Sequence, residues 1–240
     1  MDRLRVAQVL PQLKVGGAER HVLLLLEHLG RHGLRVDLIT LKAGVGEMEA
    51  RAAAAADGRL DLGFRWRRAP TCLARLRRYL KERRIQVLHG HLPLADLMGR
   101  VAGLAAGVPV LVTTEHGKHL WKRAPYRWLE RRLARRTAMR FCVSEDIARL
   151  RVEREGASPS RLRVLPNFVD PEGLALDAAQ RARRRRELGW GEDEVVVLTV
   201  GRLVAAKDQA ALVRAYTTAA RPPSCRPSPE RPGPWPQPAA

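Results

Sequence analysis

Two adjacent glycines, Gly16 and Gly17, stand where an apolar run ending at Leu10-Pro11 gives way to a long helical pattern. Bare backbone N–H groups at a helix start, backed by the positive end of its dipole, suit an anion. The same pair also suits a tight turn. Farther on, His89-Gly90-His91 and Glu115-His116-Gly117 close two other apolar runs. His89 and His91 alternate on an extended segment and can face the same way, but no carboxylate or cysteine spacing makes them a metal pair. His116 follows "VLVTTE" directly; a histidine there is either a hydrogen-bonded structural residue or one that faces a substrate. The last group is Gly201-Arg202 with Lys207 at the next helix start. Two fixed cations there suit a diphosphate whose charge grows as it leaves a sugar or phosphoryl donor. They are equally read as two more basic residues in a basic protein. No G-x-G-x-x-G occurs, so the dinucleotide fingerprint is absent.

The elements that must position these residues alternate regularly. Strands are expected at Leu4–Leu10, Val36–Leu41, weakly at Leu60–Leu62, and at Val87–Gly90, Val110–Glu115, Met139–Val143 and Leu162–Leu165. Several are nearly continuous in Val, Leu and Ile, as strands buried on both faces are. Helices are expected at Ala18–His32, with Val22, Leu25, Leu26 and Leu29 on one face, at Thr71–Arg83, at Leu94–Ala106, and at Glu145–Glu155 behind the N-cap Ser144. This alternation implies an α/β domain: a doubly wound parallel sheet, Rossmann-like, with helices on both faces. In such a sheet ligands bind beyond the carboxyl ends of the strands where strand order reverses. With the order 3-2-1-4-5-6, the tips carrying Gly16-Gly17, His89-His91 and Glu115-His116 share one crevice. His89, His91 and Glu115 are then its rim, on the acceptor side.

Composition narrows the function. The 240 residues carry a formal net charge of +19, which invites a nucleic-acid reading. Yet 38 of the 44 basic residues are arginine and six are lysine, a bias expected of a GC-rich coding sequence. With aromatics at 5%, a base-stacking surface is not expected, and nucleic acid is not expected as a partner. Arginines beside amphipathic helices keep an anionic membrane surface open. No apolar run is long enough to span a bilayer. No signal peptide is legible, and three widely spaced cysteines fit reduced thiols. The expected location is cytoplasmic, with peripheral association at the inner membrane face.

The first domain is expected over 1–170, followed by a linker and basic helix over 171–194. The alternation restarts over 195–220 as a single βα unit of a second, incomplete α/β domain. Residues 221–240, "RPPSCRPSPERPGPWPQPAA", include eight prolines and read as a disordered tail. A lone strand and helix have nothing to pack against, so the chain reads as cut off shortly after its second domain begins.

Four segments in order resemble the group 1, family 4 glycosyltransferases of the two-domain GT-B fold. "LPQLKVGGAERHVLLLLEHLGRHG" resembles their N-terminal glycine loop and first helix. "VLHGHLPLADLMGRVAGLAAGVPVLVTTEHG" resembles their central strand–helix–strand. "FCVSEDIARL" with "RLRVLPNFVD" resembles the end of their N-terminal domain, and "VGRLVAAKD" the first motif of their donor domain. The resemblance implies transfer of a hexose from a nucleotide-sugar donor to an acceptor, with retained configuration and with neither metal nor cofactor. It places Gly16 and Gly17 beside the donor phosphates, His116 on the sugar as the catalytic residue, and Arg202 and Lys207 on the leaving diphosphate. Phe168 follows Asn167 where the family's turn has glycine. The family's paired glutamates and nucleotide pocket would lie beyond the chain's end, and Glu230 cannot stand in for them.

The leading expectation is thus a glycosyltransferase whose chain is incomplete and inactive or weakly active alone. Its acceptor is a sugar or lipid-linked glycan of the cell envelope. A split enzyme whose donor half is another polypeptide is the alternative. A basic nucleic-acid or membrane-binding module is the third reading, disfavoured by the arginine bias.

Overall fold

The computed structural model describes residues 3–119, 124–171, 177–201 and 203–218. They fall into two compact units that meet at Asp170 and Pro171.

The first unit is built from β1 (Arg5–Leu10), α1 (Gly17–Arg31), β2 (Arg35–Thr40), α2 (Glu47–Ala55), β3 (Gly58–Asp61), α3 (Ala69–Glu82), β4 (Val87–His91), α4 (Pro93–Ala106), β5 (Val110–Glu115), α5 (Ala124–Ala134), β6 (Met139–Cys142), α6 (Glu145–Glu155) and β7 (Leu162–Val164). All strand pairs are parallel, in the order β3-β2-β1-β4-β5-β6-β7. This is the doubly wound sheet expected, extended by one edge strand. The order reverses between β1 and β4, which opens the crevice beyond their carboxyl ends.

Side-chain alternation divides the core between the two faces. On one face Val6 and Leu10 of β1 meet Val36 and Leu38 of β2 and Val22, Leu23 and Leu26 of α1. On the other, Ala7 and Val9 meet Ile39, Leu88 and Leu111 beneath Leu76 and Leu80 of α3 and Met98 and Ala102 of α4. Each fully buried leucine contributes about 1.5–3 kcal/mol relative to exposure. Along α1 the buried stripe is broader than expected: Leu23 and Leu24 are buried while Leu25 is only half-buried. Glycines at φ +77 and +65, Gly107 and Gly156, end α4 and α6 in the left-handed conformation. Ser144 caps α6 by accepting from Ile147 N at 3.4 Å. Helix α2 has no counterpart in the sequence expectations; it is alanine-rich and buries only Ala52, so its apolar periodicity is faint.

The second unit contains α7 (Ala178–Glu187), whose N-cap Asp177 accepts from Gln180 N at 2.6 Å, and α8 (Gln209–Thr218). The strand expected at Val195–Val200 does not form: the segment is unpaired, and Val195, Val197, Leu198 and Val200 are 59–88% exposed. A strand needs a neighbour for its ladder hydrogen bonds, and among the described residues this unit offers none. Arg202 and the proline-rich 221–240 segment lie outside the described residues.

Candidate functional site

The carboxyl ends of β1, β4 and β5 converge on four histidines. Strand alternation puts Gln8 on the same face of β1 as Val6 and Leu10, and His89 and His91 on the same face of β4 as Val87. Thr114 and His116 keep that parity on β5 and just beyond it. His21 comes down from α1, one turn after Gly17, and packs edge-on to His116 with ring centroids 5.2 Å apart. His89 and His91 lie 4.1 Å apart, facing the same way as their spacing suggests. Phe168 covers His21 at 4.5 Å.

The rings are tied together and shielded from water. His89 Nε2 bonds Thr114 Oγ1 at 2.7 Å. His91 bonds Gln8 Oε1 through Nε2 at 2.7 Å and His116 Nε2 through Nδ1 at 3.0 Å. Burial, followed by the nearby imidazoles, holds His89 down to about 3 and pushes His91 well below its ordinary range. Burial and His21 hold His116 down to about 4, against a smaller opposing pull from Glu115. His21 is lowered by burial. At neutral pH the site is therefore a set of uncharged imidazoles, each with one donor and one acceptor.

Neither glycine at the start of α1 is needed for a turn. Gly16 is extended (φ −172°, ψ 161°), a conformation any residue adopts, and neither position has positive φ. A Cβ on Gly17 would meet nothing within 4 Å. The space beside it is open, as close approach of a ligand to the backbone would require. Gly16 supplies no side-chain cap to this 15-residue helix, and the Glu19 carboxylate of the first turn lies against it, where a Cβ on Gly16 would clash. Next to His91, Leu92 holds φ 63° and ψ 144°, a strained conformation of the kind that gathers at functional sites.

Three residues expected at the crevice rim lie elsewhere. His89 is 8% exposed and His91 fully buried, so they form the floor of the crevice. Glu115 has the parity of Leu111 and Thr113 and points to the opposite face of the sheet. There it joins a buried network of Asp96, Arg100, Glu130, Arg140, Arg151 and Glu155. Arg151 lies 3.4 Å from Glu115 and 2.6 Å from Glu155; Arg140 lies 2.7 Å from Glu155 and 3.0 Å from Glu130. Arg100 spans Asp96 and Glu130, the latter at 2.5 Å. Carboxylate oxygens of Glu115, Glu130 and Glu155 fall within 4.8 Å of one another, the one potential metal-binding group among the described residues. Three guanidinium groups already neutralise it, so its chemistry is that of a structural brace tying β5 and β6 to α4–α6.

Lys207 is exposed in the second unit, at the end of a short 3-10 turn. His21 and Gln8 escaped the sequence reading, although both leave a trace: a histidine on the apolar face of a helix, and a glutamine inside the strand "RVAQVL".

The pattern of Glycosyltransferase Family 4 matches residues 15–172, from the glycine loop to the end of the first unit. The chain belongs to Glycosyltransferase Family 4. An Escherichia coli protein, UDP-Gal:alpha-D-GlcNAc-diphosphoundecaprenol alpha-1,3-galactosyltransferase, is 29% identical over 137 residues, covering 55% of this chain and 35% of that protein. Among solved structures, a glycosyltransferase from Rickettsia africae superposes with a TM-score of 0.75 at 14% identity, over 90% of this chain and 57% of that one. Anabaena Alr3699/HepE, solved in complex with UDP-glucose, gives 0.74 at 16% identity, over 92% and 59%. These similarities place the family 4 chain in the fold of those structures. It spans about a third of the curated relative and under three-fifths of the solved ones.

Proposed function

We propose that this chain carries the acceptor-side half of a retaining hexosyltransferase that moves a sugar from a nucleotide diphosphate donor without a metal or cofactor. The observation that carries the reading is the crevice itself. A helix N-terminus without a cap from Gly16, with open space at Gly17 and the Glu19 carboxylate beside Gly16, lies one turn from a largely buried, uncharged histidine cluster, at the switch point of a family 4 sheet. The amide dipoles suit the donor phosphates, and the neutral imidazoles suit sugar hydroxyls without competing for charge. In this reading His116 contacts the sugar, and Arg202 and Lys207 offset the charge of the departing diphosphate.

For the acceptor we propose a lipid-linked sugar at the inner membrane face, reached by a cytoplasmic protein. The Escherichia coli relative is named for a diphosphoundecaprenol-linked substrate, which supports this class. No described helix is long and apolar enough to cross a membrane, but α5 offers a peripheral contact. Its Trp128 is 58% exposed with the Arg132 guanidinium 4.7 Å over the ring, and Arg131, Arg135 and Arg136 are exposed nearby. The test is calorimetric titration of the 240-residue chain with a polyprenyl-diphosphate sugar, the acceptor class this half would hold. Binding that is lost in Gly17→Val supports the reading. Absence of binding to the polyprenyl-diphosphate sugar overturns it for this chain, and binding indifferent to Gly17→Val removes the loop from the site.

A further inference from the structure

Gln8, His91 and His116 form a single file of hydrogen bonds from the middle of β1 to the crevice. The direction of that file has a chemical consequence. Gln8 turns Oε1, a carbonyl oxygen that can only accept, toward His91 Nε2 at 2.7 Å and leaves its own Nε2 buried without a partner among the described residues; in that amide orientation His91 Nε2 carries the proton. An uncharged His91 then carries no proton on Nδ1, which accepts across 3.0 Å from His116 Nε2–H. His116, uncharged in turn, is left with a bare lone pair on Nδ1. That atom is buried and has no hydrogen-bond partner among the described residues. His21, edge-on to the same ring, is 2% exposed, and both of its ring nitrogens are likewise buried without a partner. One histidine thus presents an acceptor, and its neighbour presents one donor and one acceptor.

The geometry points to Gln8 and His91 as positioning residues that lock His116 in its Nε2–H tautomer, so that Nδ1 serves, beside His21, as acceptor for a hydroxyl. A hydroxyl gives one hydrogen, which the bare lone pair of His116 Nδ1 can take. Buried polar atoms left unpaired are costly, so the arrangement rewards a ligand that completes it. Phe168 over His21 supplies an apolar surface beside that polar pair. That the hydroxyl belongs to a sugar rests on the glycosyltransferase reading; the tautomer does not.

The test is nitrogen NMR of the full chain carrying 15N-labelled histidine, at pH 7 and without ligand, with His116 assigned by loss of its signals in His116→Gln. The expected result is a pyrrole-type shift at His116 Nε2 and a pyridine-type shift at Nδ1. Gln8→Met, which removes the acceptor, should bring both nitrogens of His116 toward averaged positions, and Gln8→Glu, which keeps an acceptor, should retain the separation. The opposite tautomer, or averaged shifts in the unsubstituted chain, overturns the proposal even if neither variant folds. An unchanged His116 spectrum in folded Gln8→Met overturns the role of Gln8. Because these spectra are recorded without sugar, their failure is separate from a failure to bind the polyprenyl-diphosphate sugar, which would strike the glycosyltransferase reading instead.

Discussion

Mild acid should destabilise the first unit, and His89 is the residue at which to measure the effect. Burial and its neighbours His21 and His116 hold His89 to about 3, while His116 is held to about 4, both against an ordinary 6.5. As pH falls below 6.5, the unfolded chain protonates these imidazoles and the folded chain does not. The unfolded state then binds more protons, so stability drops with acid. The contribution is complete above 6.5 and is lost progressively as pH falls toward the folded values of about 3 and 4. At pH 5, about 1.5 pH units below the unfolded value, each imidazole removes about 2 kcal/mol, at about 1.4 kcal/mol per pH unit. The two together remove about 4 kcal/mol from a total that for a domain is about 5–15 kcal/mol. His91 and His21, also held down by burial, act in the same direction. The assay is urea unfolding followed by circular dichroism at pH 7 and pH 5, for the unsubstituted chain and for His89→Asn. The amide cannot titrate, so the variant should lose about 2 kcal/mol less between the two pH values. Every other titrating group is common to both chains, Asp96 included, whose carboxyl is pushed up by burial. Equal losses in the two chains would refute a His89 held neutral by the fold.

The brace on the opposite face makes a different prediction. Arg100→Leu leaves Asp96 buried without its guanidinium partner and Glu130 with Arg140 alone, and should cost about 3–5 kcal/mol, a fall of about 6–20 °C in Tm by thermal melting. A Tm within about 2 °C of the starting value would show that the carboxylates find other partners. Gly17→Ala should leave stability the same or raise it by up to about 1 kcal/mol, since its Cβ meets nothing, while weakening binding of a polyprenyl-diphosphate sugar about tenfold in calorimetry. Unchanged affinity would mean that no ligand approaches this backbone. Trp128→Ala combined with Arg132→Glu should reduce sedimentation with vesicles rich in anionic lipid and leave the melting curve unaltered. Equal sedimentation would remove α5 as the membrane contact.

The parallel α/β layout and the strand tips that matter follow from the order of the residues alone. Runs of Val, Leu and Ile of strand length, separated by helical periods, admit few other folds, because each run must be buried on both faces. That order also brings Gly16-Gly17, His89, His91 and His116 to one end of the sheet, since that end is where every strand hands over to its helix. Which way the residues at those tips point emerges once the strands are paired and the helices packed on them. Glu115 and His116 are adjacent, yet one braces the far face through Arg140 and Arg151 while the other joins the histidine cluster, because successive strand side chains leave on opposite sides. Gln8 and His21 show the same limit from the other direction. Each is a polar residue inside an apolar pattern, and its partner stands 83 residues away on β4 or beyond the end of β5. Val195–Val200 marks where local pattern was not enough. Six residues with every propensity for a strand stay unpaired, since a strand exists only against a neighbour and propensity supplies none.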